Sequence, residues 1–284
     1  MKYLIYIFVI LTTNANSQIK FNVTDSCMDG PTIRNIVAQS DNYYSVGGSS
    51  TGIFPDILGV VVNHFGLNGG LQNIKYFADT IDWYHGVENS LKETGTGNYI
   101  LGSGRQQNYY RDNQLIKFDN NFDTIFTKRY FPVNDGGNSD VIIYNSAIDS
   151  DGNYLLVGNT NIDNNYTIYD KTHMQLIKTD TLGNLLWRKI YGNTTYTYYG
   201  YKVVPAFGGG YLLGGYCSKN GGDNCIIKVD ENGNNPEFKY FGHPSYSDGR
   251  IMGITPTKDT CYIITASKEV TSDGLDKGHI FKFD

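Results

Sequence analysis

The chain has 284 residues, with 33 glycines, 24 tyrosines and 14 phenylalanines but only 7 prolines. This apolar and aromatic content excludes a disordered chain, and four cysteines are too few for a small disulfide-stapled protein. With 23 basic against 28 acidic residues, the net charge of -5 provides no basic field for nucleic acid.

The first residues, MKYLIYIFVILTTNANSQ, are typical of a secretory signal peptide at 1–17. Lys2 supplies a short positive region, an apolar run follows, and Ala15 and Ser17 are small residues just before Gln18. The apolar run is much shorter than the roughly 20 residues that span a bilayer. We therefore predict cleavage before Gln18, no membrane span, and a mature chain that is secreted or periplasmic.

A repeat organises the rest of the chain. Its first phrase is a turn, a tyrosine, two or three apolar residues and a small residue, and the tyrosines are 56, 55, 57 and 51 residues apart. A second phrase is an apolar pair and a lysine before a turn, and the first copy carries Asn63 in place of the lysine. A third phrase reads IKYF, TKRYF, RKIYG and FKYFG. The phrases are marked by Tyr43, Tyr99, Tyr154, Tyr211 and Tyr262, and by Lys117, Lys178, Lys228 and Lys282.

Short β-branched and aromatic phrases between turn residues are strand signals, and turns such as DGN and ENGN favour tight hairpins. With a less regular strand before each tyrosine, the unit has four antiparallel strands. Repetition of such sheets predicts an all-β, five-bladed β-propeller in one domain, 18–284. The fifth unit ends at Asp284 after its third strand, whereas Ile19, Lys20 and Phe21 resemble the third phrase. We therefore expect the N-terminal strand to close the ring; the alternative is a fragment of a longer array.

The segment LIKTDTLGNLLWRKIYG, followed by YYGYKVVPAFGGGYLLGGY, resembles the bacterial β-propeller repeat of the SBBP type. The chain is similar in this respect to secreted propeller proteins of Bacteroidetes, and the resemblance covers nearly all of the mature chain. It implies a repeat family and no catalytic residues. Many relatives end in a C-terminal sorting domain for type IX secretion, which this sequence lacks, so we expect the periplasm as well as the exterior.

In a propeller, the loops between blades share one face with the loops between second and third strands. The irregular sequence of this chain falls on that face, and binding residues are concentrated on loops that a rigid scaffold holds. Aromatic rings beside Asp, Asn and Arg suit a glycan or a peptide. The candidate ligand-binding residues are Trp83, Tyr84, His85, Tyr109, Tyr110, Arg111, Tyr196, Tyr198, Tyr199, His243 and Tyr246. The alternative is that these rings pack the loops against the blades.

Together, the aromatic loop face and the lack of a recognised catalytic constellation favour a non-enzymatic binding or scaffold module, with a glycan or a protein as ligand. The alternatives are a carbohydrate-active propeller enzyme, either a hydrolase or a lyase, and a fragment of a larger surface protein. Two carboxylates, or His with Tyr or Arg, meeting in one pocket would favour the enzyme.

Cysteines and acidic turns complete the sequence-based expectations. Cys217 and Cys225 flank a turn of the fourth unit, where a cross-hairpin disulfide would suit an oxidising compartment. Acidic stretches at 149–153 and 230–232 begin like a calcium loop but lack its glycine and glutamate, so we interpret them as turns. We predict no cofactor and no metal site, and structural calcium elsewhere stays open.

Overall fold

The computed structural model describes residues 32–38, 42–50, 58–66, 70–77, 83–107, 110–130, 141–163, 168–219, 222–241, 249–270 and 275–284. The signal peptide at 1–17 and the closing strand at 19–24 therefore lie outside the described residues. No helix among the described residues is both long enough and apolar enough to cross a membrane.

Nineteen strands in the described residues form five antiparallel sheets, each ordered as the chain runs. The first sheet contains β1 (Thr32–Ala38), β2 (Asn42–Ser50), β3 (Leu58–Gly66) and β4 (Leu71–Phe77). The second contains β5 (Trp83–Glu93), β6 (Tyr99–Gln107), β7 (Tyr110–Phe118) and β8 (Thr124–Tyr130). The third contains β9 (Ile142–Ile148), β10 (Tyr154–Ile162), β11 (Ile168–Thr179) and β12 (Leu185–Tyr191). The fourth contains β13 (Tyr198–Pro205), β14 (Tyr211–Cys217), β15 (Asp223–Val229) and β16 (Glu237–Phe241). The fifth contains β17 (Arg250–Pro256), β18 (Tyr262–Val270) and β19 (Leu275–Phe283).

The prediction of antiparallel four-stranded sheets is confirmed. The chain divides into two compact units, Met1–Gly86 and Val87–Asp284. The first unit contains the first sheet, and the second contains the third, fourth and fifth sheets with most of the second. The single domain 18–284 remains a prediction.

Strand register corrects one detail of the repeat. In four sheets the tyrosine that opens the second strand pairs with the third-strand residue directly after the lysine of the second phrase. For example, Tyr99 pairs with Phe118, which follows Lys117. In the first sheet Tyr43 pairs with Phe65, so the position of the lysine belongs to His64 and not to Asn63. The error arose because the sequence phrase GVVVNHFG permits either alignment.

One five-residue turn recurs seven times at the same end of the sheets, which we call the turn end. The N–H of its first residue donates to the carbonyl of the fifth, and the N–H of the fourth donates back to the first. In four copies an aspartate comes first, and its carboxylate accepts the N–H groups of the third and fifth residues at 2.8–3.0 Å. The first residues are Thr94, Asp119, Asp149, Asp180, Ala206, Asp230 and Thr257. The turn interpretation of the acidic stretches at 149–153 and 230–232 thus agrees with the structure.

In the second unit, apolar clusters join each sheet to the next. Leu115 of the second sheet packs against Ile143 and Leu156 of the third, and similar clusters link the third sheet to the fourth and the fourth to the fifth. A tyrosine at the end of an outer strand also donates to a glycine carbonyl in the next sheet, from Tyr130 and from Tyr191, at 2.8 and 2.9 Å. First strands of neighbouring sheets, such as β9 and β13, therefore lie side by side.

Candidate functional site

The opposite end of the sheets, which we call the loop end, carries eight of the eleven candidate residues predicted from sequence. Trp83, Tyr84 and His85 open β5 instead of lying in a loop. Tyr110 and Arg111 likewise open β7, because β6 and β7 pair as far as Gln107 and Tyr110. The expectation that these residues belong to loops was wrong, since the β-favouring aromatic sequence extends the strands. Three further candidates lie outside the described residues: Tyr109, His243 and Tyr246.

Tyr198 is a packing residue and does not line a surface. Its side chain is fully buried, and its hydroxyl lies 3.2 Å from that of Tyr240 and accepts a hydrogen bond from Asn193 Nδ2 at 3.0 Å. Burial raises the pKa of Tyr198 well above its ordinary value. Tyr196 is half-buried against the same core cluster. For Tyr196 and Tyr198 the contacts therefore support the alternative interpretation, in which the rings pack against the core of the sheets.

Tyr199 belongs to a group of four tyrosines, three of which the sequence analysis missed. Its ring stacks on Tyr201 with centroids 6.3 Å apart and contacts Tyr216 at 5.9 Å. Tyr201 in turn makes an edge-to-face contact with Tyr144 at 5.2 Å. All four rings are half-buried. We call these four residues the tyrosine cluster.

A repeated β-bulge orients two members of the tyrosine cluster. The β13–β14 register passes from Gly200 to Lys202, which leaves Tyr201 as the extra residue of a bulge. On β9, the register skips Tyr144 in the same way, and on β17 it skips Met252. Because a bulge bends its strand and redirects the extra side chain, it brings Tyr144 and Tyr201 together from neighbouring first strands.

The bulge also explains the small residue that ends the tyrosine phrase. A Cβ atom at Gly215 would lie 1.8 Å from the Tyr199 carbonyl oxygen, and one at Gly158 would lie 1.8 Å from the Ile142 carbonyl oxygen. The first strand approaches the second so closely at these points that only glycine fits. The close approach at the bulge therefore explains the glycine that ends the tyrosine phrase in the third and fourth sheets.

Arg250 adds a cation to the tyrosine cluster. It opens β17 in the fifth sheet, is exposed, and its guanidinium carbon lies 5.9 Å from the centroid of the Tyr201 ring. Burial raises the pKa of Tyr201 above its ordinary value, although Arg250 acts in the opposite direction. Tyr201 therefore keeps its proton at neutral pH. The site thus presents hydroxyl donors and one permanent positive charge, a combination suited to a hydroxyl-rich, anionic ligand.

A buried polar network stiffens the loop end behind β10 and β11. Arg188 donates to Gln175 Oε1 at 3.0 Å, to Thr160 Oγ1 at 2.8 Å, and to the carbonyls of Ile162 and Asp163 at 3.0 and 3.1 Å. Gln175 also donates to Asn113 of the second sheet at 3.3 Å. These bonds fix the strand ends on which a site at this end depends.

Cys217 and Cys225 are free cysteines in the structure, so the expected disulfide is not formed. The β14–β15 register pairs Cys217 with Asp223 and Cys225 with Gly215, so the two thiols are offset along the strands instead of directly opposed. Burial raises the pKa of both thiols, which makes them poor nucleophiles. Within the described ranges, no group of three or more His, Cys, Asp or Glu side chains is arranged to hold a metal ion.

Comparisons with solved structures show a β-propeller-like fold. Polysaccharide lyase Uly1 is similar with a TM-score of 0.53 and 12% identity, over 89% of this chain and 57% of the lyase. The GH43 endo-arabinanase from Bacillus licheniformis is similar with a TM-score of 0.41 and 14% identity, over 87% and 91% of the two chains. The endo-arabinase from Bacteroides thetaiotaomicron gives a TM-score of 0.47 and 11% identity, over 89% and 93%. The chain thus spans little more than half of the lyase's length.

Comparison with protein-family models and with curated proteins gives no match. The likeness to SBBP-type repeats therefore remains a resemblance. The preference for a non-enzymatic binding or scaffold module is corrected by the comparison with polysaccharide lyase Uly1, an enzyme whose fold this chain resembles with a TM-score of 0.53. At 12% identity this likeness shows the fold alone, so the carbohydrate-active enzyme that the sequence analysis kept open is a proposal.

Proposed function

We propose that this protein is an exported five-bladed propeller enzyme that cleaves an acidic polysaccharide by elimination, with its active site at the tyrosine cluster and Arg250. The observation that carries the proposal is the meeting of Tyr201 and Arg250, with a guanidinium 5.9 Å from a ring that Tyr199 and Tyr144 flank. The fold likeness to a polysaccharide lyase supports it.

The chemistry of these groups matches a lyase better than a glycosidase. Glycosidases use two carboxylates on opposite sides of the scissile bond, whereas the groups that meet here are phenols and a guanidinium. In a lyase a base removes the proton beside the uronate carboxylate, the C4–O bond breaks, a C4=C5 double bond forms, and the leaving oxygen takes a proton. No co-reactant is consumed.

Residues of the tyrosine cluster and Arg250 can be assigned to each step of this elimination. Arg250 binds the uronate carboxylate and neutralises the charge that grows there as the proton leaves. Tyr201 keeps its proton at neutral pH because burial raises its pKa, and it protonates the leaving oxygen. Tyr199, which stacks on Tyr201, serves as the base in its phenolate form, after losing its own proton to water. It then holds the proton from the sugar carbon, and Tyr201 recovers its proton from water. Tyr144 and Tyr216 offer ring faces to the sugar.

A substrate panel tests the proposal. Purified mature chain is incubated with alginate, pectate, chondroitin and arabinan, and both reducing ends and the ultraviolet absorbance of unsaturated sugars are followed. We expect absorbance with at least one uronate polymer and none with arabinan. Arg250→Met should lower that rate at least tenfold, whereas Lys239→Met, which removes an exposed cation from β16, should not. Reducing ends without absorbance, or no cleavage of any polymer, would overturn it.

A further inference from the structure

Strand register places Arg250 at the point of the fifth sheet that Tyr199 occupies in the fourth. Arg250 pairs with β18 two residues before the bulge at Met252. Tyr199 pairs with β14 two residues before the bulge at Tyr201, and Ile142 has the same place in the third sheet. The residues that directly precede these three are therefore equivalent, namely Val141, Tyr198 and Gly249.

The fifth sheet departs from the other two at this preceding position. Val141 and Tyr198 are both 0% exposed, so the third and fourth sheets fill the position with a packed side chain. The fifth sheet has Gly249, which is buried although its neighbour Arg250 is exposed. The φ of Gly249 lies outside the left-handed region, so its backbone conformation does not call for glycine. The reason for glycine is therefore the space around it.

Asn224 of the fourth sheet takes up that space. A Cβ atom at Gly249 would lie 2.8 Å from Asn224 Nδ2, 3.0 Å from its Cγ and 3.1 Å from its backbone nitrogen. Asn224 is 6% exposed, and alternation along β15 places it on the same face as Ile226, which shares an apolar cluster with Ile251. The chain directly before Arg250 therefore packs against β15 with no room for a methyl group.

The polarity of Asn224 does not explain its presence. Asn113 has the equivalent position in the second sheet, five residues before the partner of the repeat tyrosine, and its Oδ1 accepts a hydrogen bond from Gln175. The Oδ1 of Asn224 is buried without a hydrogen-bond partner in the part of the chain that the structure describes. Because burial of an unpaired acceptor is unfavourable, the contribution of Asn224 is the size with which it meets Gly249.

We propose that Asn224 and Gly249 are positioning residues for Arg250. Their close contact fixes the chain at the start of β17, and thereby holds the guanidinium carbon 5.9 Å from the centroid of the Tyr201 ring. The positioning can be measured without any substrate, and only its effect on the rate rests on the proposed function. A displacement of about 1 Å at a catalytic group can lower a rate about 100-fold.

Crystal structures of variants test the positioning directly. Gly249→Ala should push the chain away from Asn224, so we expect the distance from the Arg250 guanidinium to the Tyr201 ring to grow by about 1 Å or more. Adding Asn224→Ala removes two of the three atoms that the new Cβ would meet, and should restore the parent distance. Gly278→Ala is the matched control in the same sheet, since no atom lies within 4 Å of its added Cβ. An unchanged distance in Gly249→Ala, or no restoration in the double variant, would overturn the proposal.

Asn224→Gln enlarges the other partner of the contact and keeps the amide. We expect it to displace Arg250 as Gly249→Ala does, so the proposal stays testable if one of the two variants fails to fold. Normal placement of Arg250 in Asn224→Gln would count against a contact that acts through size.

Kinetics separate the positioning from the proposed function. On the uronate polymer that the panel identifies, both enlarging variants should lower kcat/KM about tenfold or more. The double variant of Gly249→Ala with Asn224→Ala should recover most of that loss, whereas Gly278→Ala should show none. A displaced Arg250 with an unchanged kcat/KM would support the positioning but remove Arg250 from the proposed mechanism.

Discussion

The turn end and the loop end of the sheets follow opposite rules. At the turn end the chain uses one five-residue turn seven times, with the same two backbone bonds in each copy. At the loop end in the second unit, the equivalent bulges carry a tyrosine in the third and fourth sheets, at Tyr144 and Tyr201, but a methionine in the fifth, at Met252. The repeat therefore keeps one backbone turn at the first end, whereas at the second end it keeps a bulge whose side chain changes in the fifth sheet, and we propose the chemistry at this second end.

One of the seven five-residue turns, the one that begins at Asp149, contains a buried ion pair. Lys178 Nζ lies 2.8 Å from Asp149 Oδ2 and donates to the Tyr211 hydroxyl at 2.7 Å, and both charged side chains are at most 10% exposed. Asp149→Thr installs the residue that opens the equivalent turn at Thr94 and Thr257. We expect a loss of about 3–5 kcal/mol in the free energy of unfolding, because Lys178 stays buried without its partner. Chemical denaturation measures it.

The double variant Asp149→Thr with Lys178→Met is the control for that loss. Because removing both charges leaves no buried unpaired ion, we expect the double variant to recover most of the stability. Equal losses in the single and double variants would show that the turn itself, and not the ion pair, carries the effect.

The same pair predicts how stability depends on pH. Burial alone would raise the pKa of Asp149, but hydrogen bonds from Lys178 and Asn153 outweigh burial, so that pKa lies below its ordinary value. Burial alone would lower the pKa of Lys178, but Asp149 and Tyr211 hold it above its ordinary value. Stability from the pair is therefore full between about pH 4 and about pH 10, and declines below and above that window. Unfolding midpoints across pH for the parent and the double variant test this, since the double variant should lack both declines.

At the loop end, Tyr201→Phe tests the chemistry apart from the scaffold. The change keeps the ring contacts with Tyr144 and Tyr199 but removes the hydroxyl, so we expect kcat to fall about 100-fold or more with little change in unfolding free energy. Steady-state kinetics on the polymer that the panel identifies measures it. Tyr196→Phe is the matched control and should leave kcat within about twofold. A normal kcat for Tyr201→Phe would remove that residue from the proposed mechanism.

Gly215→Ala tests the close approach of β13 to β14 at the bulge. The new Cβ would approach the Tyr199 carbonyl oxygen to 1.8 Å, so we expect a loss of about 1–3 kcal/mol in unfolding free energy and reduced activity. Gly95→Ala is the control, since no atom lies within 4 Å of its added Cβ, and it should change stability by about 0.5 kcal/mol at most. Similar losses in both variants would contradict the close approach.

The smallest expected effect is a gain at the turn end. Thr260 has a φ of 62° at the position where most copies of the turn carry glycine. Because a β-branched residue is strained there, Thr260→Gly should raise the free energy of unfolding by up to about 1 kcal/mol. The reverse change, Gly97→Thr, should cost about 1–2 kcal/mol at a φ of 75° with open space around the added atom. A loss of stability in Thr260→Gly would argue against the shared turn geometry.

The sequence predicted the sheets well because strand phrases and turns are local signals. Tyr99, Tyr154, Tyr211 and Tyr262 each open a second strand, as the phrase requires. The site was predicted poorly. Tyr199 was named but Tyr144, Tyr201, Tyr216 and Arg250 were not, because a bulge shifts the alternation of side chains and its contacts join different sheets. The small residue that recurs in the tyrosine phrase was the available signal for the bulge, but the sequence analysis interpreted it only as part of a strand.

The bulge on the first strands has a practical consequence for protein engineering. Because the extra residue is skipped by the ladder, residues 144, 201 and 252 can be exchanged without altering which backbone groups pair. A combinatorial library restricted to these three codons would therefore vary the contact between Tyr144 and Tyr201 while leaving the strand register constant. The fold thus provides three equivalent bulge positions whose side chains can be changed without changing the strand register.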